Sequence, residues 1–217
     1  MKKEFSWEEF LRVSIVGIAR NISFEDIVHI LPIYQSSGLN TIEITMNSFE
    51  AQNIIQYARE KYPNSLNVGA GTVCTPQDLD KALSAGAQFI VTPVMNEKII
   101  EVCLEKKVPI FSGAFTPTEI FKAWTAGANM VKVFPITDLG PQYIKDIKAP
   151  LNQIRLMPTG GVNIDNCVNY LKAGADGLGI GSQLFDKIHI RDKNWEALRE
   201  HFIVFVKKIK AYKSEIS

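Results

Sequence analysis

The chain has 217 residues, enough for one sizeable hydrophobic core and close to the lower size limit of a full α/β barrel. Hydrophobic residues make up 46% and charged residues 22%, and a formal net charge of +1 gives no strong field to attract nucleic acid or an anionic membrane. Cys74, Cys103 and Cys167 are far apart, odd in number and without metal-ligand spacing, which indicates reduced thiols.

The first seven residues are charged but lack the apolar stretch of a signal peptide. No apolar run approaches the roughly 20 residues that a membrane span requires. The composition also gives no sign of a linker, a low-complexity tract or a second domain. We therefore expect a cytoplasmic protein whose residues 1–217 form one domain.

A repeated pattern organises the chain: a helical stretch ends in a small residue followed by glycine, and a short apolar run begins at once. Glycine relieves the left-handed geometry at a helix end, and a strand directly after it is one half of a β-α-β unit. The pattern predicts strands at residues 39–45, 87–92, 128–135 and 175–181, preceded by Ser37-Gly38, Ala85-Gly86, Ala126-Gly127 and Ala173-Gly174.

Four further buried runs, at residues 13–19, 66–70, 108–113 and 154–158, bring the predicted strands to eight. The intervening helices carry start signals: Thr75 precedes Pro76, Thr116-Pro117-Thr118-Glu119 forms a capping box, and Ser6 begins a short leading helix. A longer helix at residues 194–209 closes the chain. Pro32 is predicted to kink or break the first helix after the leading one.

Eight strands alternating with helices predict an α/β protein, a (β/α)8 TIM barrel with a short amino-terminal helix and a carboxy-terminal helix. The alternative is an open, doubly wound sheet. Such a sheet typically carries a glycine-rich nucleotide loop after its first strand, and residues 18–21 contain no glycine. The barrel is therefore the preferred interpretation.

Two charged residues lie in strands that should otherwise be apolar. Alternation along residues 39–45 directs Ile42 and Ile44 toward the helices and Glu43 into the barrel, and the same argument turns Lys132 inward. Both lie late in their strands, on the face where barrel enzymes carry out chemistry. A desolvated lysine releases its proton and can attack a carbonyl, and a nearby carboxylate can move protons. The alternative is a structural ion pair.

Glycine-rich segments follow the last two strands, where barrels often bind phosphate. Glycine allows close backbone approach, and free amides at a helix start attract anions. The two segments together predict a phosphate site, with ordinary turn glycines as the alternative. Its candidate residues are Gly160, Gly161, Gly181 and Ser182.

Weaker signals stand at the ends of two other strands. Thr72 either offers a hydroxyl at the barrel mouth or completes a simple loop. Arg20 either meets an anionic substrate or lies solvated. His29, His189 and His201 show no clustered partners and receive no role, so no metal site is predicted.

Five motifs in family order resemble the 2-keto-3-deoxy-6-phosphogluconate (KDPG) and 4-hydroxy-2-oxoglutarate (KHG) aldolases. They extend over roughly residues 13–185 and comprise Ile42-Glu43-Ile44-Thr45, Gly69-Ala70-Gly71-Thr72-Val73, Lys132-Val133-Phe134-Pro135, Pro158-Thr159-Gly160-Gly161 and Gly181-Ser182. The glycine motifs alone would fit several phosphate-binding barrels, whereas the set is specific. The resemblance implies a class I aldolase that releases pyruvate with glyceraldehyde 3-phosphate or glyoxylate, needs no cofactor and forms a homotrimer.

The resemblance also implies roles for individual residues. Lys132 would form the Schiff base, and Glu43 would move protons through a bound water. Thr72 would help to hold the carboxylate of the keto acid. Of the other residues, Thr159 would border the substrate, Phe134 and Pro93 would line the pocket, and Gly160, Gly161 and Ser182 would bind the phosphate.

Asn47 departs from the family pattern, which commonly has arginine two residues after Thr45 to grip the substrate carboxylate. Asparagine carries no charge, and a charge-assisted hydrogen bond is roughly twice as strong as a neutral one. Either Arg20 compensates, or the substrate is a related 2-keto acid, or binding is weaker. Two other functions stay open: a sugar-phosphate isomerase or transferase that uses Lys132 electrostatically, and a phosphosugar-binding barrel without catalysis.

Overall fold

The computed structural model describes residues 4–215. Residues 1–3 and 216–217 lie outside the described part. Both ends of the predicted 1–217 domain, and the first residues of the amino terminus that was considered as a signal peptide, therefore lie outside the described residues. The described residues build one eight-stranded parallel sheet in the order β7-β6-β5-β4-β3-β2-β1-β8. A parallel bridge between Thr159 and Gly179 joins the two outer strands, which makes the sheet a nearly closed barrel.

All eight predicted strands are present; seven are shorter than their apolar runs, and the third is shifted by one residue. Their bounds are β1 Ile15–Ala19, β2 Thr41–Thr45, β3 Asn67–Gly71, β4 Ile90–Val91, β5 Ile110–Ala114, β6 Met130–Val133, β7 Leu156–Pro158 and β8 Leu178–Ile180. The (β/α)8 barrel is confirmed, and the open doubly wound sheet is wrong.

The helices alternate with the strands and surround them. Their bounds are α1 Trp7–Val13, α2 Phe24–Ser36, α3 Ala51–Lys61, α4 Pro76–Ser84, α5 Glu97–Glu105, α6 Pro117–Thr125, α7 Gly140–Lys148, α8 Cys167–Lys172, α9 Lys187–Arg191 and α10 Trp195–Glu215. The short leading helix and the long closing helix are both confirmed, as α1 and α10. No helix in residues 4–215 is at once long enough and apolar enough to cross a membrane.

The helix signals in the sequence act as predicted. Thr75 and Thr116 each accept a hydrogen bond from the backbone N–H three residues on, and Asp78 and Glu119 complete capping boxes. The glycines of the four repeated helix ends all have positive φ. A break at Pro32 is wrong, because α2 runs through it. The buried face of α2 packs into the core, and that packing outweighs the one missing backbone hydrogen bond.

The lower half of the barrel is filled by an apolar cluster that excludes water. Its buried members come from α1, from five of the strands and from the residue before β4: Phe10, Val16, Phe89, Val91, Phe111, Met130 and Met157. Phe5 and Trp7 cover this cluster from below, with ring centroids 5.9 Å from that of Phe111. Polar side chains inside the barrel can therefore reach solvent or a ligand only at its carboxy-terminal mouth.

The cluster makes a stability prediction. Replacing Phe111 with alanine leaves a cavity among rings that cannot collapse fully, so the free energy of unfolding should fall by about 3–5 kcal/mol, measured by urea denaturation. Phe121→Ala removes the same atoms from the exposed face of α6 and should change it by less than about 0.5 kcal/mol. Equal losses in the two variants would show that the cluster adds no special stability.

Candidate active site

Strand alternation turns Glu43 and Lys132 into the barrel, as predicted. The flanking residues Ile42 and Ile44 in β2 belong to the outer core between strands and helices. Glu43 itself is 0% exposed, and Lys132 in β6 is 2% exposed. Both are ionisable groups removed from water, above the apolar cluster that fills the lower barrel.

Room for the carboxylate of Glu43 comes from a glycine in the next strand. Thr45 pairs with Gly71, and a Cβ placed on Gly71 would collide with the Glu43 carboxyl group. Neither Oε1 nor Oε2 of Glu43 has a hydrogen-bond partner among residues 4–215. A buried acid with two unused oxygens is a costly arrangement, and it suits a group that handles protons from a ligand or a water.

The amine of Lys132 lies in apolar surroundings. Its Nζ is 5.2 Å from the ring centroid of Phe134, and its strand neighbours in register are Gly113 and Met157. The backbone of Pro93 packs so closely on Gly113 that a side chain there would clash. Within the described part of the chain Lys132 forms no ion pair, so the alternative of a structural Lys132–Glu43 bridge is not realised.

Burial shifts both groups toward their uncharged forms. Desolvation lowers the pKa of the Lys132 amine below 10.5, and the charge of Arg20 lowers it further, while Glu43 and Cys74 oppose the shift. Desolvation raises the pKa of Glu43 above 4.5, against the charges of Lys132 and Arg20. In both cases burial is the largest cause, and it outweighs the opposing charge of the partner group.

A cavity of about 570 Å³ opens at the mouth beside this pair. Seven of the predicted site residues line it: Arg20, Phe134, Thr159, Gly160, Gly161, Gly181 and Ser182. Lys132 and Glu43 do not line it. Phe134 is common to the cavity wall and to the surroundings of Lys132 Nζ, so the cavity reaches the neighbourhood of the amine.

The glycine loops after β7 and β8 form one wall of the cavity. Gly160 and Gly161 have φ of +95° and +74°, a conformation that other residues rarely adopt. The backbone N–H groups of Gly160, Gly161 and Ser182 donate no hydrogen bond to any described residue. Free amides that converge on a cavity suit an anion.

Besides Lys132 and Glu43, three predicted site residues are not part of the cavity lining. Thr72 adopts φ +55°, which is rare for a β-branched residue, and its buried Oγ1 has no partner in residues 4–215. Pro93 is partly buried, and Asn47 is exposed. Asn47 precedes Ser48, whose Oγ lies 2.7 Å from Thr45 Oγ1 and accepts the Asn21 backbone N–H at 2.9 Å.

Sequence reasoning missed several residues near the site. Lys187 and Arg191 line the cavity, and Cys74 lies close enough to Lys132 for its charge to affect the amine. The spacing of Lys187 and Arg191, four residues apart after the last glycine loop, was the one available signal.

The prediction that the histidines lack clustered partners is wrong for one pair. The rings of His189 and His201 lie 6.5 Å apart, and His201 Nε2 is 2.8 Å from the carbonyl oxygen of Gln183. The described residues hold no group of three or more histidine, cysteine, aspartate or glutamate side chains that could bind a metal ion.

A parallel barrel with a desolvated lysine and glutamate at its mouth, beside a cavity whose wall suits an anion, is typical of barrel enzymes. Comparison with known proteins specifies the family. The model of the KDPG and KHG aldolases matches residues 8–201, and the chain belongs to that family. It is therefore an enzyme, a class I aldolase that breaks a carbon–carbon bond.

Similar proteins cover most of the chain. The 2-dehydro-3-deoxy-6-phosphogalactonate aldolase of Escherichia coli (strain K12) is 33% identical over 175 residues, which are 80% of this chain and 85% of that protein. The 2-dehydro-3-deoxy-phosphogluconate aldolase of Haemophilus influenzae is 33% identical over 192 residues, 88% of this chain and 90% of its own. A solved structure described as native KDPGal has a TM-score of 0.88 at 29% identity and covers 98% of this chain and 100% of its own.

The cost of burying the lysine can be measured as stability. Lys132→Met removes the amine at nearly constant volume, so the free energy of unfolding near pH 7 should rise by about 1–3 kcal/mol in urea denaturation. Because the folded-state pKa is depressed, the unfolded wild type binds an extra proton between that pKa and 10.5. The stability of the wild type should therefore rise with pH in this window, and the advantage of the variant should shrink.

The exposed Lys122→Met is the matched control and should leave stability within about 0.5 kcal/mol of the wild type. A lower stability of Lys132→Met at neutral pH would contradict the unfavourable burial of the amine.

Proposed function

We propose that Lys132 forms an imine with the C2 ketone of a 2-dehydro-3-deoxy-6-phospho sugar acid and that the products are pyruvate and glyceraldehyde 3-phosphate. The observation that carries the proposal is the buried amine of Lys132, whose pKa is lowered by desolvation, near an acid that has no hydrogen-bond partner among residues 4–215. The names of the two relatives, which act on phosphogalactonate and phosphogluconate derivatives, support this substrate class.

The uncharged pair provides the protons in a closed sequence. The neutral amine of Lys132 attacks C2, and the Glu43 carboxylic acid protonates the resulting hydroxyl, which leaves as water. The cationic imine then accepts the electrons of the C3–C4 bond. As that bond breaks, the Glu43 carboxylate takes the proton of the C4 hydroxyl, and glyceraldehyde 3-phosphate departs. Glu43 is now protonated again and faces an enamine.

The second half of the sequence returns the enzyme to its starting state. The Glu43 acid gives its proton to C3 of the enamine, which produces the imine of pyruvate. The carboxylate then assists the attack of water on this imine, and pyruvate leaves as the amine is restored. The imine itself is the electron sink, so no cofactor is part of the proposal.

Binding roles follow from position. Arg20 supplies the charge for the substrate carboxylate, together with the hydroxyl of Thr72, and so offsets the missing charge at Asn47. Thr159, Phe134 and Pro93 border the carbon chain. The phosphate binds to the loops that contain Gly160, Gly161, Gly181 and Ser182. Asn47 acts at the edge of the mouth rather than in its wall, since it is exposed.

We also propose that the chain forms a homotrimer in the cytoplasm, where phosphorylated sugar acids are retained by their charge. Phe49 and Val94, in loops after β2 and β4, are 86% and 56% exposed and supply apolar surface for contact between copies. Light scattering of the purified protein should give three times the mass of the chain.

The imine can be trapped directly. Pyruvate with sodium borohydride should add a stable mass to Lys132, located by peptide mass spectrometry, because reduction of the imine fixes the bond. Lys132→Arg should give no adduct and no turnover, while Lys148→Arg, in a partly buried ion pair with Asp176, keeps its charge and should behave like the wild type. Appreciable turnover by Lys132→Arg would favour the isomerase or transferase alternative.

The role of Glu43 has a separate readout. Formation of the enamine exchanges the methyl protons of pyruvate with solvent deuterium, which NMR follows without any aldehyde. Glu43→Gln keeps the shape but cannot carry the proton, so the exchange rate and kcat should each fall about 10²- to 10⁴-fold. Borohydride should still trap some pyruvate on Lys132. Exchange at the wild-type rate would exclude Glu43 from proton transfer.

Substrate identity is tested by coupling pyruvate release to lactate dehydrogenase. Candidate acids are the 6-phospho gluconate and galactonate derivatives, which differ at C4, and 4-hydroxy-2-oxoglutarate, which would give glyoxylate through the same imine. Phosphosugar binding without release of pyruvate from any acid would favour the non-catalytic alternative.

A further inference from the structure

The cavity has an outer cationic wall that the family motifs do not include. Asp186 caps α9 by accepting the backbone N–H groups of Ile188 and His189 at 2.8 and 2.9 Å. This cap fixes the direction in which α9 leaves the loop after β8. Lys187 and Arg191 are one helical turn apart on α9, and both line the cavity.

Both cations are available to a ligand. Lys187 forms no hydrogen bond or ion pair with the described residues. Arg191 contacts the adjacent, exposed Asp192 through Nε at 2.7 Å and Nη2 at 3.1 Å, which leaves Nη1 unused. Both side chains of this pair are exposed, so solvent and salt screen it, and Nη1 remains free for an anion.

The acid in the same cavity wall does not cancel these charges. Asp26 is paired with Lys193 and accepts the hydroxyl of Ser23 at 2.7 Å. The wall therefore has a net positive charge from Lys187, Arg191 and Arg20.

The three cations lie at different depths. Arg20 follows β1, and its charge acts on both Glu43 and Lys132. Lys187 and Arg191 lie on α9, beyond the glycine loop that follows β8, and are therefore farther from the barrel interior. The cavity thus has an inner cation near the ketone position and two outer cations beside the free amides of the glycine loops.

We infer that Lys187 and Arg191 select substrates that end in a phosphate dianion, by completing on α9 the anion site that the glycine loops begin. The inference rests on the proposed function and deepens it. The phosphorus of a 6-phospho acid lies twice as many bonds from C2 as the distal carboxyl carbon of 4-hydroxy-2-oxoglutarate. Only the longer substrate brings its anion to the outer wall, and its charge is larger.

The test compares two substrates in one variant. Lys187→Met together with Arg191→Met should lower kcat/KM for the 6-phospho acids by about tenfold or more, mainly through KM, because charge-assisted contacts are lost. The value for 4-hydroxy-2-oxoglutarate and the yield of the pyruvate adduct should stay within about twofold, because neither ligand reaches α9.

Arg12→Met with Lys61→Met is the matched control. It makes the same charge change on α1 and α3, away from the cavity, and should leave both substrates unaffected. Equal losses for both substrates, or no loss for the phosphorylated one, would overturn the inference.

A binding measurement separates this inference from the proposed function. Calorimetry with glycerol 3-phosphate probes the phosphate site without turnover, and the double variant on α9 should bind it about tenfold more weakly than the wild type. Unchanged affinity would overturn the inference even if the aldolase is active. Weakened affinity together with no pyruvate adduct in the wild type would overturn the imine and leave the anion site standing.

Discussion

The structure depends on the removal of one amine from water. Lys132 is inside a ring of strands whose lower half is closed by aromatic and methionine side chains, so solvent cannot stabilise its positive charge. Glu43 is buried in the same chamber, and desolvation raises its pKa, whereas it lowers that of Lys132. Burial disfavours the charged form of each residue, and this shifts the pKa of the amine down and that of the acid up, as the proposed imine chemistry requires. Burial of these two ionisable groups lowers the stability of the fold.

Glycines in the strands leave space for polar side chains at the barrel mouth. Gly71 leaves room for the carboxyl group of Glu43, and Gly179 leaves room for Thr159, which directly follows β7. Larger residues would displace the polar groups from the mouth. These two glycines are therefore positions of close packing, where the missing side chain makes room for a neighbouring polar group.

Much of this was readable from the sequence because it is local. Strand alternation alone placed Glu43 and Lys132 inside the barrel, and glycines at helix ends located the strands. Lys187 and Arg191 were missed, because their approach to the cavity depends on the helix cap at Asp186. Cys74 was missed as well, because its proximity to Lys132 depends on the path of a loop. The contact of His189 with His201 joins two helices across a turn. Pro32 shows the converse, as packing overruled a reliable local signal.

The most direct test of the account is the titration of the Lys132 amine itself. NMR of protein labelled with ¹³C at lysine Cε, with the signal assigned by its loss in Lys132→Met, follows the charge of this one group as pH changes. The account predicts a midpoint clearly below the ordinary value of 10.5. The midpoint should also change when Glu43 is replaced by glutamine, because the charge of Glu43 acts on the amine. A midpoint at or above 10.5 would show that burial does not lower the pKa of this amine, and the account would be wrong.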